Sequence, residues 1–217
     1  MIETLDKRDI KIDEKEVLRY LGYGKNQADE VVIKKIDSMA KKMKENLSCK
    51  VCYEKYPIIT MDDSLCFGNI RTTSADLKKN LSGCSEAVVF VATIGIEADR
   101  IIGKNNLLSP SDAVIAQAVG TTLIESWCDI FCEKILKEEN KSLRPRFSPG
   151  YGDFGIENQK EIFKMLDVTR KIGVSLTDSL QMVPSKSVSA IVGIGGKKHT
   201  EENCQICDNI NCPYRRK

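Results

Sequence analysis

The stretch Ala87-Val88-Val89-Phe90-Val91-Ala92-Thr93-Ile94 decides the fold class. It is apolar, β-branched or aromatic almost throughout and is broken at once by Gly95, which predicts a short buried strand. Outward from it, residues 50–60 also turn extended, with β-branched residues appearing. Residues 96–102 predict a short helix, and Ser109-Pro110-Ser111-Asp112 opens the longest one, ending near Asn140. Asp13 followed by Glu16 starts a first helix, carrying Leu18 and Leu21 and closed by Gly22-Tyr23-Gly24. Val32, Ile36, Met39, Met43 and Leu47 recur at helical spacing, with lysines on the opposite side, and predict a second helix over 27–47. Residues 141–152 read as a loop and 159–166 as a helix. Residues 173–196 read as two strands joined at Pro184-Ser185, clearest over 188–194. Helices and strands are interspersed without a regular α–β alternation. The expected fold is therefore α+β (mixed α/β), a mostly antiparallel sheet flanked by helices. One domain over 1–198 is expected, with 199–217 as a Cys-rich tail.

The 217 residues carry 33 Lys+Arg against 31 Asp+Glu, a net charge of +2, and 41% are hydrophobic. This balance excludes a disordered chain and argues against a non-specific nucleic-acid binder. The longest apolar run is too short to cross a bilayer, so no membrane partner is expected. Nine cysteines stand beside one histidine. No apolar stretch follows Met1, and an odd number of cysteines at about 4% fits reduced thiols in a cytoplasmic protein better than a secreted disulfide scaffold.

Those cysteines fall into groups. Cys204-x2-Cys207-x4-Cys212 lies in the tail with His199 nearby, a set able to hold zinc or an iron–sulfur cluster, and equally able to be surface thiols or a disulfide. Cys49-x2-Cys52 is a second pair at metal or redox spacing. Cys128 and Cys132 share one face of the long helix, where small apolar packing is the simpler role. Gly193-Ile194-Gly195-Gly196 lacks the Lys-Ser/Thr of a phosphate loop and reads as a strand end.

Two other features carry chemistry. At about 100° per residue, Val114, Ala118, Thr121, Cys132 and Leu136 cluster around Glu125, which places an acid within an apolar strip. A carboxylate there either awaits a cationic ligand group, reaches out at a helix edge, or pairs internally with an arginine. The loop Arg144-Pro145-Arg146-Phe147-Ser148-Pro149-Gly150-Tyr151-Gly152-Asp153-Phe154 sets two planar guanidinium donors beside aromatic surface. It would suit a small anionic, aromatic ligand, or serve as an ordered connection with its aromatics packed beneath.

Arg146-x-x-x-Gly150-Tyr151 resembles the S-adenosylmethionine-binding loop of the C-terminal activation (reactivation) domain of cobalamin-dependent methionine synthase. Three further segments agree in order. Leu123-Ile124-Glu125-Ser126 looks like that family's Glu-bearing helix; Leu166-Asp167-Val168-Thr169 through Leu176-Thr177-Asp178-Ser179 is similar to its helix, Gly and Leu-Thr-x-Ser pattern; Pro184-Ser185-Lys186-Ser187-Val188-Ser189 looks like its Pro-x-x-Ser-Val-Ser segment. The chain departs from the family where Gly152-Asp153-Phe154 replaces a Pro-Ala-Cys-Pro segment, and where Ala190-Ile191-Val192 stand in place of a tyrosine.

The resemblance implies a short relative that binds S-adenosylmethionine and helps restore oxidised cob(II)alamin to methylcobalamin. Arg146 would take the methionyl carboxylate and Glu125 its ammonium; Ser148 and Gly150 would lend backbone groups, and Tyr151 would lie against the ligand. The cobalamin would be carried by a partner, either a corrinoid protein or a methionine synthase lacking its own activation domain, and an electron donor such as flavodoxin or ferredoxin would supply the reduction. The chain would be an accessory or subunit rather than an enzyme alone. Two other readings stand beside it: a metal- or iron–sulfur-binding redox or sensor protein working through its cysteines, and a binding protein for another small zwitterion.

Overall fold

The computed structural model describes residues 1–4, 9–23 and 26–196. In chain order the elements are β1 (Ile2–Thr4), α1 (Glu14–Tyr20), α2 (Glu30–Glu45), β2 (Lys50–Pro57), β3 (Ile59–Met61), β4 (Ser64–Phe67), β5 (Ile70–Thr72), α3 (Ala75–Asn80) and β6 (Cys84–Thr93). Then come α4 (Ile96–Leu108), α5 (Pro110–Glu139), α6 (Asn158–Leu166), α7 (Val168–Ile172), β7 (Ser175–Leu176), β8 (Met182–Val183) and β9 (Ser187–Gly195). The main sheet runs β1-β2-β6-β9, antiparallel throughout, with Cys52 opposite Val91 and Phe90 opposite Ala190. The mixed helix and antiparallel-sheet reading holds.

Both faces of this sheet are covered, which is why β6 reads as a continuous apolar run and does not alternate. Val88, Phe90 and Ala92, with Tyr53, Ala190 and Val192, face a core that includes Ile36 and Met43 of α2, Ile101 of α4 and Leu123 and Phe131 of α5. Ala87, Val89 and Val91, with Cys52 and Ile191, face a second core built with Leu65, Phe67, Leu77, Phe154, Ile162 and Leu166. Phe131 lies 5.0 Å, centroid to centroid, from both Tyr53 and Phe90. Trp127 Nε1 donates to the Lys50 carbonyl at 3.1 Å, pinning α5 in register across the sheet.

Local signals explain most boundaries. Asp13 accepts from the Lys15 N–H at 2.9 Å as the N-cap of α1. Helix α2 starts three residues later than the periodicity suggests because Asp29 caps it, accepting from the Val32 N–H at 2.8 Å. Helix α5 begins with Pro110 in its first turn and ends at Asn140 in the left-handed conformation. Helix α4 outruns the predicted 96–102, passing through Gly103 to Leu108, because its apolar side packs along α5. Elements β1, the β3-β4-β5 meander and α3 have no counterpart in the sequence reading, and the strand expected before Pro184-Ser185 is instead the short β7-β8 hairpin. The tail with His199, Cys204, Cys207 and Cys212 lies outside the described residues.

Candidate functional site

Helix α5 is fixed on the sheet by Leu123, Trp127 and Phe131, and this leaves Glu125 on the side turned away from it. The strip around Glu125 is therefore not an apolar interior. Val114 and Leu136 are exposed and the Glu125 side chain is 33% exposed. Of the roles open to this carboxylate, the arginine pair is the one formed: Arg146 Nη2 donates to Glu125 Oε2 at 2.6 Å.

The same guanidinium serves a second acid. Arg146 Nη1 donates to Asp129 Oδ1 at 2.5 Å, so two carboxylates one helical turn apart share one arginine. Asp129 escaped the sequence reading, although its i,i+4 spacing from Glu125 was the available signal. Burial opposes the Arg146 charge, but the Asp129 and Glu125 carboxylates beside it hold its pKa above the usual guanidinium value. Burial also pushes the Cys128 thiol well up, and it raises Cys132 despite the neighbouring Arg146. Both are neutral packing thiols beneath the arginine rather than nucleophiles.

The arginine reaches α5 because its loop is tied to the edge of the sheet. Phe147 and Ile191 of β9 exchange backbone hydrogen bonds at 2.9 and 2.8 Å, and the Arg144 N–H donates to Gly193 O at 2.9 Å. Arg144 is not part of the site: its Nη2 donates to the Ser82 carbonyl at 2.6 Å and braces the turn before β6. The expected stacking surface is halved as well. Phe154 is fully buried in the second core, while Tyr151 is 57% exposed and rests edge-on against Phe147, centroids 6.0 Å apart. The Gly150 N–H is turned inward to Phe154 O at 2.7 Å, and Ser148 O accepts from the Tyr151 N–H at 3.1 Å. Of the backbone groups expected to meet a ligand, these two are engaged within the loop.

The serines of the Pro-x-x-Ser-Val-Ser segment are internal ties. Ser187 Oγ lies 2.9 Å from Thr93 Oγ1 and 2.8 Å from Pro184 O. Ser189 Oγ donates to Gln159 Oε1 at 3.2 Å, and Gln159 in turn donates to Leu180 O at 2.8 Å. Between these serines and the turn stands Lys186, whose Nζ donates to Thr121 Oγ1 at 3.0 Å, one turn before Glu125. Gly120 makes room for it, since a Cβ there would lie 3.0 Å from Lys186 Cε. Thr121 is also the edge of an open groove of about 200 Å³ lined by Tyr20, Val114, Gln117 and Ala118. That is smaller than the roughly 300–1,000 Å³ of enclosed ligand pockets, so a ligand here would lie along the surface.

The Cys49/Cys52 pair does not converge. Cys49 belongs to the core on the α5 side of the sheet and Cys52 to the opposite one, and burial pushes their thiols up to about 12 and about 11. Among the described residues no group of three or more His, Cys, Asp or Glu side chains is placed to hold a metal ion. No helix among them is long and apolar enough to cross a membrane.

Residues 126–199 match the sequence family described as vitamin B12 dependent methionine synthase, activation domain. This span includes Asp129, Arg146, Gly150, Tyr151 and Lys186 and begins one residue after Glu125. The fold is similar to the crystal structure of the MetH reactivation domain bound to AdoHcy, with a TM-score of 0.70 at 17% identity, over 93% of this chain and 80% of that one. No curated protein sequence matches the chain.

Proposed function

We propose that the chain is a relative of the activation domain of vitamin B12 dependent methionine synthase and serves as an S-adenosylmethionine-binding module for reactivating a corrinoid methyltransferase. The observation that carries the reading is the Glu125–Arg146 pair. An α-amino acid presents an ammonium and a carboxylate, and its two charges need an acid and a bidentate cation side by side. Here those partners stand 2.6 Å apart, each neutralising the other. Arg146 would take the carboxylate and Glu125 the ammonium. Tyr151 would lie against the ligand, and the loop around Ser148 and Gly150 would border it. The ligand would supply a methyl group to a reduced corrinoid carried by a partner protein, either a methionine synthase lacking its own activation domain or another corrinoid protein. The electron would come from a carrier such as flavodoxin or ferredoxin.

Titration calorimetry with S-adenosylmethionine tests the site. The wild-type chain is expected to bind it. Loss of a charge-assisted hydrogen bond in Glu125→Gln or Arg146→Ala should weaken binding by about 1.5–3 kcal/mol, roughly 10- to 150-fold. Absence of binding to the wild-type chain at millimolar ligand would overturn the reading.

A further inference from the structure

We propose that Asp129 is a positioning residue for ligand capture: it holds the Arg146 guanidinium by Nη1 while the ligand carboxylate takes the place of Glu125 on Nη2, and the released Glu125 receives the ligand ammonium. The inference rests on the zwitterion site above and goes beyond it by giving the entry step a mechanism and assigning a third residue.

The geometry assigns the two acids different parts. Asp129 Oδ1 and Glu125 Oε2 sit on different terminal nitrogens of one rigid fork, at 2.5 and 2.6 Å. A ligand that binds between Glu125 and Arg146 has to part that pair. An arginine held by Glu125 alone would then be released at the moment its orientation matters. With Nη1 still on Asp129, the guanidinium plane stays where it is and Nη2 is presented to the incoming carboxylate. Asp129 is 58% exposed and Arg146 only 22%, so the outer acid tethers the arginine at the rim while the inner one changes partner.

Charge supports the exchange. Two carboxylates and one guanidinium sum to −1, whereas S-adenosylmethionine carries an ammonium, a sulfonium and a carboxylate, a sum of +1. Inserting the ligand sets its amino-acid charges opposite ions of the other sign, ammonium on Glu125 and carboxylate on Arg146, with Arg146 still on Asp129. Burial pushes the Cys128 and Cys132 thiols beside the arginine up, so they add no charge to this balance. The swap trades one ion pair for two of the same kind, between residues that already stand side by side.

The test compares S-adenosylmethionine, S-adenosylhomocysteine and decarboxylated S-adenosylmethionine by titration calorimetry on the whole chain, for wild type, Asp129→Asn and Asp129→Glu. The Asn variant is expected to weaken the two carboxylate-bearing ligands about tenfold and the decarboxylated one less than about twofold, with the Glu variant recovering most of the loss. A ligand without a carboxylate places nothing on Nη2, so it leaves the Glu125–Arg146 pair closed and does not depend on Asp129. Equal loss for all three ligands would mark a merely structural role and overturn the proposal, as would unchanged binding of all three. A wild-type chain that binds none of them removes the zwitterion site itself, and with it this inference. A wild type that binds while Asp129→Asn is silent removes the inference alone. Asp129 is exposed and makes no core contact, and matching melting curves for the ligand-free variants check that the fold is retained.

Discussion

At the scale of single residues, the site holds two cations in different circumstances. Arg146 is matched by two acids, whereas Lys186 has a hydroxyl, Thr121 Oγ1, as its nearest hydrogen-bond partner. Burial therefore pulls the Lys186 pKa below 10.5, with the more distant Asp99 pulling only partly back. A lysine whose folded pKa is lowered binds fewer protons when folded than when unfolded. Between that lowered pKa and 10.5, stability rises with pH; below it the full penalty for a desolvated ammonium is present. Lys186→Met keeps the stem packed on Gly120 and removes the charge. It should raise the melting temperature at pH 7, with the gain shrinking as the pH climbs toward 10.5. Melting curves across pH 7–10.5 check this, and a gain independent of pH would contradict it.

At the scale of elements, the loop between α5 and α6 works as a strap pinned at two points. One pin is its pairing with β9 through Phe147. The other is Asp153, whose carboxylate accepts from Ser74 Oγ and from the Ala75 and Asp76 N–H groups, while the Asp153 N–H donates to Asp76 Oδ2 at 3.2 Å. Gly152 sits at this second pin with φ +51°, and a Cβ there would lie 2.1 Å from Asp76 Oδ2. Gly152→Ala should therefore destabilise the fold by about 1–3 kcal/mol, from a left-handed alanine and the broken clamp on α3, and should weaken S-adenosylmethionine binding. Denaturant midpoints and the same titration would show it. The Gly152-Asp153-Phe154 segment thus has a structural use of its own. The strap was legible as irregular backbone carrying Arg146, because prolines, glycines and arginines announce themselves in sequence. Its partners were not. Ser74, Asp76 and Ile191 are distant in the chain, and nothing in their local spacing says that Phe154 goes inward while Tyr151 stays out. The same limit hid the β3-β4-β5 meander, whose three- and four-residue strands are too short to show a period. It misplaced Glu125 too: helical periodicity correctly grouped its neighbours, but only the packing of Phe131 and Trp127 on the sheet tells which side of α5 is buried.

At the scale of the whole molecule, one four-stranded sheet is shared by two cores, and the candidate site draws on both. Glu125 and Asp129 ride on a helix of the first core. Arg146 hangs from a loop whose next residues, Phe147 and Phe154, pack with the second. Parting the two layers would separate the acids from the arginine, so a ligand bound across them stabilises the assembled sheet and not one layer alone. At a ligand concentration of about 100 times Kd this linkage is worth roughly 2.7 kcal/mol, which for a domain of this size corresponds to a rise of about 5–11 °C in Tm. Differential scanning calorimetry with S-adenosylmethionine should show one cooperative transition moving as a whole. In Arg146→Ala, whose affinity is expected to be roughly 10- to 150-fold lower, the shift at the same ligand concentration should fall to roughly half or less. A thermogram that splits, with only part of the heat moving on ligand addition, would mean that the two cores unfold independently and that the site belongs to one of them.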